Sequence, residues 1–91
     1  MMERNARFYF ANLCADVIRC IAAAEKADDV RYRASLERAW KTIDHIRSSH
    51  RPEAYEEALL LLRALELRRE SGNMNVLRNY VNALAADFAI L

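Results

Sequence analysis

Arg31, Arg38, Lys41 and His45 recur along one stretch of the chain at spacings of seven, three and four. On an α-helix that spacing sets three permanent cations and one imidazole on the same side. Such a row can attract phosphate groups, and an imidazole beside fixed cations could move a proton at a phosphodiester. His45 and His50 are the only histidines. Neither has a Cys or a second His at ligand spacing, so both read as surface residues and no metal is expected. A carboxylate di-metal centre fails too. It needs Glu-x-x-His on two helices, whereas Thr42 precedes His45 by three and Arg47 precedes His50 by three. Cys14 would need a neighbouring base and exposure to act as a nucleophile. It lies in an apolar stripe on a segment without His, so it reads as inert. Asp16 with Arg19, and Asp87 near Tyr80, read as solvated or locally paired carboxylates. The single Gly, at position 72, leaves no phosphate-binding loop. The chain is therefore expected to be non-catalytic, with no cofactor.

Two short resemblances bear on function. Arg38 and His45 resemble the element of the HEPN ribonucleases in which four to six residues separate an arginine from a histidine. Ala39 follows the arginine where those enzymes carry a polar residue. That likeness implies an RNA-binding or RNase-like helical bundle using Arg38, Lys41 and His45, with Arg31 extending the basic surface. Tyr55, Glu57, Ala58 and Leu62 are similar to the second helix of a tetratricopeptide repeat. Upstream, where that repeat has Trp, Leu, Gly and Tyr, stand Thr42, His45, Ile46 and Ser49. This second likeness implies two helical hairpins of an α-solenoid and a peptide-binding adaptor.

The elements that must position these residues are helices. The 91 residues are 54 % hydrophobic and 30 % charged, with one Gly and one Pro. Ala, Leu, Arg and Glu dominate, and all favour helix. Three breaks, at Glu25–Asp29, Ser48–Pro52 and Ser71–Asn73, divide one domain (1–91) into helices near 5–24, 29–48, 52–70 and 74–90. Short connections between helices of equal length predict an all-α, up-down-up-down antiparallel four-helix bundle.

In the first helix Phe10, Leu13, Cys14, Val17, Ile21 and Ala24 form the inward stripe. Asn5, Asn12, Asp16, Arg19 and Ala23 make a narrow polar line, and a second strip of Ala11, Ala15, Ile18 and Ala22 lies between them. In the second helix, capped by Asp28 or Asp29, Tyr32, Leu36, Ala39, Ile43 and Ile46 face inward with Trp40 beside them. Arg31, Arg38, Lys41 and His45 lie opposite. In the third, which starts at Pro52 and closes at Gly72, Ala54, Ala58, Leu61, Leu62 and Leu65 face inward. In the fourth, capped by Asn73, Leu77, Val81, Leu84, Phe88 and Leu91 do so, with Asn75, Asn79 and Asn82 outside.

Leu60 and Leu67 fall on the charged side of the third helix, with Glu56, Arg63 and Glu70. With Ala64 they suggest a contact patch, as does the Ala11, Ala15, Ile18 and Ala22 strip. Two leucines from each of two subunits would supply roughly 6–12 kcal/mol, against an association cost of about 4–15 kcal/mol. A tight dimer would need that second strip, or another partner surface, as well. The expected partner is a protein, as a second copy or a separate helix. A net charge of +1 gives no global pull toward nucleic acid. No apolar run reaches the roughly 18–20 residues of a membrane span. Cys14 and Cys20, about 9 Å apart on one helix, are too distant for a disulfide and read as buried thiols of a cytoplasmic protein.

Overall fold

The computed structural model describes residues 6–90, with side chains as far as 86. Four helices follow one another: α1 (Ala6–Glu25), α2 (Asp29–Ser48), α3 (Pro52–Ser71) and α4 (Asn75–Ile90). Each connection is three residues long. α1 packs on α2, α2 on α3 and α3 on α4, and α1 meets α4 to close the bundle. A row of solenoid hairpins would leave α1 and α4 apart, so the bundle is the architecture. α1 also touches α3 across the diagonal, whereas α2 and α4 do not meet among the described residues. α1 and α3 thus each contact all three others, and α1 does so more extensively.

Local chemistry explains where the helices start and stop. Asp28 caps α2 by accepting from the backbone N–H of Arg31 at 3.1 Å. Pro52 opens α3, where its missing N–H leaves no partner unsatisfied. Gly72, at φ 79°, closes α3 and donates its N–H to the carbonyl of Arg68. Asn73 acts one position earlier than a true cap. Its side chain accepts from Asn75 N–H, while the helical ladder begins at the carbonyl of Met74. Ala27 (φ 55°) and His50 (φ 60°) also adopt the left-handed conformation. The first closes α1 through a bond from Asp28 N–H to the carbonyl of Ala23 at 2.9 Å. Neither position could be foreseen, because neither is glycine.

The core runs the length of α1. Phe10, Leu13, Cys14, Val17, Cys20 and Ile21 pack with Tyr32, Ala39, Ile43 and Ile46 of α2, Ala58, Leu61, Leu62 and Leu65 of α3, and Leu77 and Val81 of α4. Leu36, Ala54 and Leu84 pack at its margin. Phe88, Leu91 and Asp87 lie outside the described side chains, and Asn5 lies outside the described residues. Three placements differ from the periodicity. Trp40 is 44 % exposed at the rim of the α2 stripe. Ala23 and Asp16, expected in the polar line of α1, are both 5 % exposed, because α2 covers that side.

Tyr32 is enclosed, and among the described residues its hydroxyl makes no hydrogen bond of full geometry, the Arg69 guanidinium lying instead 3.9 Å over its ring. An unmet buried hydroxyl costs stability. Tyr32→Phe is therefore expected to leave unfolding by urea unchanged or to stabilise by up to about 1 kcal/mol. Leu65→Ala, at a fully buried site, should cost about 2–5 kcal/mol. A loss above about 1 kcal/mol for Tyr32→Phe would mean that the hydroxyl has a partner after all.

Candidate functional site

The most organised polar feature is built around Asp16. Its carboxylate lies between α1 and α2 and receives Arg19 at 2.9 Å and Arg38 at 3.6 Å. Arg38 also donates to Ser35 Oγ at 3.3 Å. A carboxylate withdrawn from water needs compensating charge, and the two guanidiniums supply it while their own ends stay exposed. Asp16 therefore fixes two arginines from different helices along one groove.

That groove has two hollows. One, of about 420 Å³, is lined by Arg19, Ala22, Lys26, Asp28, Arg31 and Arg38 among others. The other, of about 320 Å³, is lined by Asn12, Ala15, Asp16, Arg19, Arg38, Lys41, Thr42 and His45. Arg19 and Arg38 belong to both walls. The basic residues expected opposite the inward stripe of α2 are exposed, as expected, and they gather along the border with α1. Arg31 pairs with Asp28 at 3.4 Å. His45 stacks on Tyr9 of α1, with ring centroids 4.8 Å apart and planes 9° apart.

Arg38 and His45 share one hollow, as the ribonuclease likeness requires. Their Cα atoms are nonetheless two helical turns apart, about 10 Å, and Arg38 is turned toward Asp16. Of the cations added from the α1 side, Arg19 was read only as a local partner of Asp16, and Lys26, just past the end of α1, was not singled out in the sequence. Their heptad spacing was the available signal.

The second candidate set divides in two. On α1, Ala15 and Ala22 are exposed, and Ala11 and Ile18 are half-buried. Their strip borders the groove and lies on the side of α1 that the other helices leave open. On α3, Leu60 is 62 % exposed and Leu67 57 %. Exposed Glu56, Arg63 and Glu70 share that face, and Ala64 is half-buried against the core. The two strips do not join, since Leu60 and Leu67 point away from the core that α1 occupies.

Comparisons with protein-family models, curated proteins and solved structures found no match to this chain. Its residues must carry the functional reading alone. Among the described residues no three His, Cys, Asp or Glu side chains gather as a metal site requires. No described helix is long and apolar enough to cross a membrane.

Cys14 and Cys20 are free thiols sealed in the core. Burial raises Cys14 to about 11. Burial, then the Asp16 charge, raises Cys20 to about 11 as well. At pH 8 only about one thiol in a thousand would be ionised, far below an exposed cysteine. Reaction with a disulfide reagent at pH 8 is therefore expected only as the protein unfolds. Both raised values favour the folded state below the unfolded thiol range near 9. That contribution is lost as pH rises toward about 11. Rapid labelling of either native thiol would contradict this placement.

Asp16→Asn keeps the size of the side chain and removes the charge. It should lower stability by about 1–2 kcal/mol in urea unfolding. A change under about 0.5 kcal/mol would mean that the two arginines do not repay the burial.

Proposed function

We propose that this protein is a non-catalytic adaptor that docks a partner helix along the open face of α1. What supports the reading is that face itself. α2 and α4 flank α1 without meeting over it. The strip between them, Ala11, Ala15, Ile18 and Ala22, carries no charge. Its spacing of four, three and four is that of a heptad seam, and small side chains allow a second helix to approach closely. The residues of the catalytic alternative are otherwise engaged. His45 lies against Tyr9, and Arg38 is committed to Asp16.

Within the same class, self-association through Leu60, Ala64 and Leu67 is the rival. The observation favouring it is the exposure of those two leucines. Each is ringed by charge, and Leu is a common helix former even on surfaces.

One titration separates the two. The probe is a three-heptad amphipathic peptide with Leu on its seam and uncharged Gln flanks, added to isotopically labelled protein. Backbone amide shifts should move over residues 8–26. They should vanish in Ala15→Gln/Ala22→Gln, whose larger side chains fill the seam. Shifts centred on Leu60 and Leu67, abolished by Leu60→Glu/Leu67→Glu, would move the site to α3. An absence of shifts anywhere would end the helix-docking reading.

A further inference from the structure

The open face of α1 does not stand alone, because the cations beside it follow the same seven-residue repeat. Arg19 on α1 and Lys26, the residue just past its end, lie seven apart, and Arg31, Arg38 and His45 follow at sevens on α2. Seven residues of helix advance about 10.5 Å, which is the interval at which a heptad-patterned helix presents equivalent side chains. The hollows are lined by Arg19, Lys26, Arg31, Arg38 and Lys41 against only Asp16 and Asp28. Asp16 is buried and serves to hold two of the arginines. The uncharged strip therefore has a strongly cationic border on its α2 side.

We infer that the partner is an acidic amphipathic helix, whose apolar seam lies on Ala11, Ala15, Ile18 and Ala22 and whose carboxylates face this border. The inference rests on the α1 docking reading and adds the charge of the partner to it. A second copy of this chain packed antiparallel fits poorly. Antiparallel packing of two α1 strips puts both α2 borders on the same side, so cation would face cation. A nucleic-acid strand fits less well than a helix. It needs aromatic faces to stack bases, but Tyr9 and His45 stack on each other and Trp40 lies at the other rim of α2. An uncharged strip also gives phosphates nothing. The cations set the approach and orientation of the partner, and the strip sets how closely it seats.

The test uses the intact protein and three probes of equal label: the three-heptad peptide with Glu flanks, the same peptide with Lys flanks, and polyuridine of about 20 nucleotides. Affinities are read by fluorescence anisotropy at about 50 and 200 mM salt. The Glu peptide should bind at least about tenfold tighter than the Lys peptide at low salt, and the gap should narrow at high salt. Lys26→Glu/Lys41→Glu, at exposed positions, should reverse the preference while circular dichroism shows an unchanged fold. Ala15→Gln/Ala22→Gln should weaken both peptides without changing their order.

Equal binding of the Glu and Lys peptides, still weakened by Ala15→Gln/Ala22→Gln, would overturn the acidic assignment and leave docking intact. Peptide binding indifferent to Ala15→Gln/Ala22→Gln, or none from either peptide or the Gln-flanked one, would overturn docking and this inference together. Polyuridine bound more tightly than the Glu peptide, and insensitive to Ala15→Gln/Ala22→Gln, would make the groove a nucleic-acid site.

Discussion

The burial of α1 is the constraint on which the rest of the molecule depends. Its residues from Ala6 to Ala23 are covered over about half the circumference by three different helices. A chain of 91 residues has a limited core, and this one concentrates it around a single central element. Each of the other helices can then be amphipathic on a narrower stripe. α2 needs Tyr32, Ser35, Ala39, Ile43 and Ile46 inside, and α3 needs only Ala58, Leu61, Leu62 and Leu65. Among the described residues no further element covers the remaining side of α1, and an uncharged strip reaches the surface there.

Asp16 shows how this central position produces chemistry at the surface. A carboxylate on α1 lies at the edge of the α2 contact, largely withdrawn from water. It is matched by Arg19 from its own helix and Arg38 from the next. The pairing costs side-chain freedom in both arginines, and it leaves their charge at a fixed height along the groove. Surface cations are ordinarily mobile and weakly directional. Two that share a buried anchor are better placed to read the position of a partner.

Much of the architecture was legible in the residues. The helices, their antiparallel order, the Asp28 cap, the Pro52 start and the Gly72 stop all follow from local rules about N–H groups and left-handed backbone. The exposed Leu60 and Leu67 followed from the 100° step between residues. What escaped was set by neighbouring helices. Asp16 stands two residues from Cys14 on the helix, and only the approach of α2 turns its side into interior. Trp40 lies one step from Ala39, and which of the two is covered depends on where α3 crosses. The cationic groove escaped for the same reason: Arg19 and Lys26 join Arg31 and Arg38 only once α1 and α2 are packed. Ala27 and His50 follow their helices in a conformation their side chains resist, so composition gave no sign of either turn.

The uneven helix contacts also grade the resistance of the fold to opening. Among the described residues α4 rests mainly on α1 and scarcely on α3, although only Gly72, Asn73 and Met74 separate it from α3 in the chain. The α1–α2 hairpin is the most extensive contact in the molecule. α3 and α4 are both held less than the α1–α2 hairpin, so partial opening is expected to spare the hairpin. The proposed docking face straddles the closed unit, since its strip and its cations belong to α1 and α2 alone. Recognition is thereby separated from the part of the molecule that yields first.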